Sequence, residues 1–143
     1  MSWIELPLFV GLAVIVLSLT AVYLKGDSPS LVARVEPKSV QHGGQLRLTV
    51  SLTNLGDKPI KLTFPSSLTF DFEVSGENGY YRWSQGKYFL EIMTIIELKP
   101  GEEKTVTFTW VADLPPGEYQ VKAFMEPMSG AKLQSDVISI TIV

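Results

Sequence analysis

The feature that most restricts what this chain can fold into is a series of short runs in which apolar and polar residues alternate, each closed by residues that favour turns. In Gln45–Thr53, Leu46, Leu48, Val50 and Leu52 alternate with Arg47, Thr49 and Ser51, the period-two signature of a strand with one buried and one wet face. The same period recurs in Ile60, Leu62 and Phe64; in Leu68, Phe70, Phe72 and Val74; in Val106, Phe108 and Trp110; in Tyr119, Val121, Ala123 and Met125; and in Ile138, Ile140 and Ile142. Between the runs lie NLGDKP (54–59), SGENG (75–79), KPGEE (99–103), DLPPGE (113–118) and EPMSGA (126–131), all rich in turn formers. No helical period interrupts them, and a parallel sheet would need crossover helices. The pattern therefore predicts an all-β, antiparallel sandwich of about seven to nine strands, of the immunoglobulin-like kind.

No disulfide can hold the two sheets of such a sandwich, because the 143 residues include no cysteine. Apolar burial must do it, and 45% hydrophobic residues suffice for one ordinary core. Phe70, Phe72, Phe108, Trp110 and Tyr119 are the expected anchors. Neither a metal nor another cofactor is needed. The formal charge is −3 and the lysines and arginines are scattered singly, so no basic stripe exists to neutralise a row of phosphates, and nucleic acid is not an expected partner.

Ahead of the alternating region, Leu6–Leu24 runs nineteen residues without a charge, nearly enough helix to cross a hydrocarbon layer about 30 Å thick. Pro7 stands in the first turn, where its missing N–H costs little, and Trp3 and Tyr23 lie where amphipathic aromatics favour the membrane interface. The expected organisation is a single-pass transmembrane or signal-anchor helix over 1–25, a short linker over 26–30 (GDSPS) and a β-sandwich over 31–143. A cleaved signal peptide is the alternative, but Glu5 stands where such peptides carry Lys or Arg, and no A-x-A site follows the apolar run. Lys25, Arg34 and Lys38 follow the segment and no basic residue precedes it, which by charge counting favours a cytoplasmic domain. An uncleaved signal-like anchor favours an extracytoplasmic one. The outward side is the expectation adopted, with the inward side left open.

Taken in order, NLGDKPIKLTF, FPS, FDFEV, RWSQGKYF, LKPGEEKTVTFTW and LPPGEYQVKAF resemble the intracellular proteinase inhibitor (BsuPI) domain family from about Gln45 to Met125. The chain departs from that family at Ser67, where a glycine is expected after FPS, and at Tyr81, where a second tryptophan often stands near WS. The resemblance implies an immunoglobulin-like fold without a cofactor and a protein partner, a serine protease by the family's name.

Catalysis finds little support. His42 is the only histidine and sits in a polar QHGG turn, and no G-x-S-x-G elbow is present. Asp71, Glu73, Glu77, Glu91 and Glu97 follow no calcium-loop spacing and are expected on solvated strand faces. A binding module without a small-molecule substrate is expected instead of an enzyme. Its partner-binding candidates are Tyr80, Tyr81, Arg82, Trp83, Lys87 and Tyr88, since aromatic and arginine side chains dominate interface hot spots. The bland alternative is a hairpin that turns Tyr81, Trp83 and Phe89 into the core. DLPPGE and EPMSGAKLQ, with Met128 or Lys132 as a specificity side chain, are candidate inhibitory loops. The competing function is a structural or adhesive immunoglobulin-like module of the cell envelope.

Overall fold

The computed structural model describes residues 29–128 and 130–143. The expected membrane segment over residues 6–24 lies outside the described residues. Among those described there is no helix, hence none long and apolar enough to cross a membrane. Eleven strands follow one another: β1 (Pro29–Glu36), β2 (Ser39–Val40), β3 (Gln45–Asn54), β4 (Ile60–Phe64), β5 (Asp71–Gly76), β6 (Gly79–Arg82), β7 (Thr94–Leu98), β8 (Glu103–Val111), β9 (Gly117–Met125), β10 (Leu133–Gln134) and β11 (Ile138–Ile142). They form a three-stranded sheet in the order β1-β3-β8, a larger sheet in the order β2-β11-β9-β5-β6 with β10 also on β9, and a separate β4-β7 ladder. Every pairing is antiparallel except β2 with β11, which is parallel.

The alternation in β3 becomes burial without exception: Leu46, Leu48, Val50 and Leu52 are buried and the residues between them are not. From the larger sheet, Phe72, Val74, Tyr119, Val121, Ala123, Met125, Ile140 and Ile142 meet them in one core. Each fully buried Leu, Ile or Phe side chain contributes about 2 kcal/mol relative to exposure. Phe108 is only half-buried, because it lies beside the β6 and β8 edges, where its ring meets Phe72 at 5.0 Å and Trp83 at 4.8 Å. Two boundaries differ from expectation. Pro29 and Ser30, read as linker, pair with Asn54 and Thr53 in β1, and Leu68–Phe70, read as strand, precede β5, which starts only at Asp71.

The molecule has two poles. At one, Val111 and Gly117 are joined by five residues, Gly43 N–H donates to Ala112 C=O at 2.8 Å, and Ile142 pairs with Gly117. At the other lie Asn54, Glu103, Asp71 and Met125, the opposite ends of the same strands. Asn54 is the knot of that pole. Its side chain is buried, donates to the carbonyls of Lys58 (2.8 Å) and Leu98 (3.0 Å), and accepts from Gly56 N–H (3.0 Å), tying the β4-β7 ladder to β3.

Candidate functional site

The SGENG turn, expected from its glycines, joins β5 to β6 in the register Glu73↔Arg82, Val74↔Tyr81 and Ser75↔Tyr80. Gly76 permits this because a Cβ there would meet Glu118 O at 2.5 Å and the Tyr119 ring at 2.8 Å. Strand alternation then divides the candidates. Tyr81 points inward, its ring 5.9 Å from Phe72 and 5.4 Å from Trp110. Tyr80 points outward, is 52% exposed, and donates its O–H to Glu73 Oε2 at 2.9 Å. Burial of its ring and then the bond to Glu73 raise the Tyr80 pKa, as burial and the charge of Asp71 raise that of Tyr81.

Arg82 reaches back to the start of β5. Its Nε donates to Asp71 Oδ2 at 3.1 Å, its guanidinium to Glu126 at 3.3 Å, and its Cζ lies 4.7 Å over the Phe124 ring. Asp71 is 2% exposed and also accepts from Ser84 N–H (3.1 Å), Ser84 O–H and its neighbour Phe72 N–H (2.9 Å). This corrects the expectation that Asp71 lies on a solvated face. Burial acts to lower the Arg82 pKa and is outweighed by the hydrogen bond and charge of Asp71 and the charge of Glu126, so the guanidinium is held charged above its ordinary value. Lys132 lies 4.5 Å from the Phe124 ring and 3.8 Å from Glu126. An outward-facing phenylalanine is thereby buried under two cations.

Trp83 is half-buried between Phe108 and Phe89, and Lys87 folds over it, with Nζ 5.0 Å from the ring and bonded to Trp83 C=O at 2.8 Å. Tyr88 is fully exposed. Of the six candidates, then, Tyr81, Arg82 and Trp83 are built into the hairpin, Lys87 covers it, and Tyr80 and Tyr88 are free to meet a partner. Beyond Tyr88 the loop carries Leu90, Ile92 and Met93, all exposed, which the sequence reading did not single out. Leu90 is fixed by two hydrogen bonds of 2.9 Å, its N–H to Ser67 Oγ and its C=O from Ser67 N–H.

The two candidate inhibitory loops are held to the body. DLPPGE is gripped by the Tyr119 O–H on Pro115 C=O and by Asn78 Nδ2 on Pro116 C=O at 3.1 Å. In EPMSGAKLQ, Met128 N–H donates to Thr63 C=O at 2.7 Å and Lys132 is engaged as above, leaving the Met128 side chain exposed. His42 is an exposed turn residue whose Nδ1–H donates to Leu114 C=O at 2.8 Å. Among the described residues no group of three or more His, Asp or Glu side chains converges where a metal could bind.

Among solved structures, the sporulation control protein Spo0M of Bacillus subtilis is similar at 16% identity and a TM-score of 0.53, over 80% of this chain and 49% of that one. A β-glucosidase of Erythrobacter marinus is similar at 20% identity and a TM-score of 0.49, over 81% of this chain and 15% of that one. The CARDB domain of a Pyrococcus furiosus protein is similar at 20% identity and a TM-score of 0.46, over 80% of this chain and 95% of the domain. The chain thus spans about half of the first protein and a small part of the second. At these identities the likeness to Spo0M concerns the all-β fold alone. No curated protein sequence matches. The profile of one family, described as intracellular proteinase inhibitor, matches residues 33–129, well over half the chain. That family is one of inhibitor domains and not of enzymes, and the matched span takes in every strand from β3 to β9. The chain belongs to the intracellular proteinase inhibitor (BsuPI) family.

Proposed function

We propose that this is an immunoglobulin-like protein-binding domain that restrains a serine proteinase, tethered to a membrane by Leu6–Leu24 with the domain on the extracytoplasmic side. Support for the immunoglobulin-like reading comes from the two facing sheets and from Tyr119. Its hydroxyl bonds back to Pro115 near the start of β9, as the corner tyrosine of such sandwiches does. The observation that carries the binding reading is the open edge at β6. Among the described residues this strand is paired on one side only, by β5, and it presents Tyr80 outward. An edge of this kind accepts an extended segment of another protein through main-chain hydrogen bonds, with an exposed aromatic supplying contact area. Half-buried Arg82 and buried Asp71 hold the hairpin rigid, which limits the ordering cost of association.

The test uses the full-length chain in detergent as bait against solubilised membranes and cell extract, with Tyr80→Ala beside it. Retained material is assayed for serine proteinase activity on peptide substrates. Stoichiometric inhibition, weakened about tenfold or more by Tyr80→Ala, is expected of a hot-spot residue. Retention of envelope components alone, with no proteinase among them, would sink the inhibitor reading and leave a structural module of the envelope.

A further inference from the structure

More of the exposed apolar side chains lie at one pole of the sandwich than at the other, and it is the pole where the chain enters. Pro29 pairs with Asn54, so the residues that precede β1 join the domain there. At the same pole Leu55 is exposed in the turn after Asn54, and Met128 is exposed just beyond the end of β9, its N–H bonded to Thr63. Leu90, Ile92 and Met93 lie on the loop that Ser67 fixes between the end of β4 and the start of β5. The opposite pole has only Val111 and Val143 of this kind, among exposed His42, Glu77, Asp113 and Glu118. Exposed apolar side chains grouped at one end in this way mark a place that another phase or molecule covers.

We propose that the Asn54 pole rests on the membrane surface, with Tyr88, Leu90, Ile92 and Met93 seated in the headgroup region. The inference rests on the reading of Leu6–Leu24 as a membrane-spanning segment. Five peptide steps separate Leu24 from Pro29, at most about 18 Å of chain, which leaves this pole facing the bilayer at close range. A proteinase approaching the same loop would have to enter that gap, whereas lipid is already there. The two hydrogen bonds between Leu90 and Ser67 hold the loop's main chain in place while its side chains project, and a fully exposed tyrosine beside aliphatic residues suits the interface between water and acyl chains. Charge does not drive the contact: exposed Lys58, Lys87, Lys99 and Lys104 at this pole are matched by exposed Asp57, Glu91, Glu102 and Glu103. Seating is therefore apolar, independent of anionic lipid and insensitive to salt. Tyr88 then belongs to the membrane contact, and Tyr80 on the β6 edge remains for a protein partner.

Because the chain has no cysteine, single-cysteine variants label cleanly. Tyr88→Cys, Leu90→Cys and Ile92→Cys, with Gln41→Cys at the opposite pole as the control, are introduced into the full-length chain. Each carries an environment-sensitive dye and is reconstituted in phosphatidylcholine vesicles containing brominated lipid. Flotation of the vesicles reads the tether by itself. In the floating protein, dye at 88, 90 and 92 should shift to the blue and be quenched by the lipid several-fold more than dye at 41, at low and high salt alike. If the protein floats but the loop dyes behave like the one at 41, or shift only when a captured proteinase is added, the membrane seat is overturned and the tether stands. If the protein does not float, the tether fails and the seat with it.

Discussion

At the residue scale the decisive side chain is Asp71, which no spacing rule marks. In the sequence it is one more acidic residue at the start of FDFEV. In the fold it is buried and accepts from Arg82, Ser84 and Phe72. Arg82 and Ser84 are eleven and thirteen positions away, so their convergence depends on the register of a hairpin whose turn is legible but whose far end is not. Asp71→Ala removes the acceptor of Ser84 N–H and the nearest carboxylate of the half-buried guanidinium and should destabilise the fold by about 2–3 kcal/mol, read from urea midpoints. The division of Tyr80 from Tyr81 was open to reading, since alternation puts one out and one in. Tyr81 also gives a pH signature. Burial first, and the Asp71 charge second, raise its phenol above 10.0, so folding favours the neutral form. That contribution is whole below about pH 10 and fades as pH rises through the raised folded value. Tyr81→Phe should flatten the alkaline loss of stability above about pH 10.

Among the elements, β3, β8, β9 and β11 were read directly from their alternation. Both β1 and β7 were not. In β1 the outward Val32 breaks the contrast between faces, and in β7 adjacent Ile95 and Ile96 make a run too short to separate strand from loop. The β4-β7 ladder is held to the rest by Asn54, a residue that reads as an ordinary turn former until its three hydrogen bonds are seen. Asn54→Ala should cost about 2 kcal/mol. Amide exchange should show the loss locally, with β4 and β7 losing protection before β9 does; equal loss everywhere would refute the idea of a local knot. Close packing at the hairpin turn makes a second expectation. In Gly76→Ala the new Cβ meets backbone at Glu118, which cannot swing away, so a penalty of about 1–3 kcal/mol is expected from thermal denaturation.

For the molecule as a whole, one core draws on all three sheets, Leu46 to Leu52 from the first, Phe72 to Ile142 from the second and Phe64, Ile96 and Leu98 from the third. Unfolding of the domain should therefore be a single cooperative step. Circular dichroism and tryptophan emission should trace coincident urea curves, unchanged by reducing agent because no cysteine is present. Pro29 and Val143 occupy opposite poles, the latter bonded to His42 and Val40. The parallel pair of β2 and β11 lies between them. A load drawn between those two residues pulls β2 and β11 past each other lengthwise, so the bonds Thr141 to Lys38, Val143 to Val40 and His42 to Val143 bear it together instead of opening one by one. Pulled between those two residues, the domain is thus a mechanical clamp along its own axis, stiff in tension where the strands would otherwise peel apart.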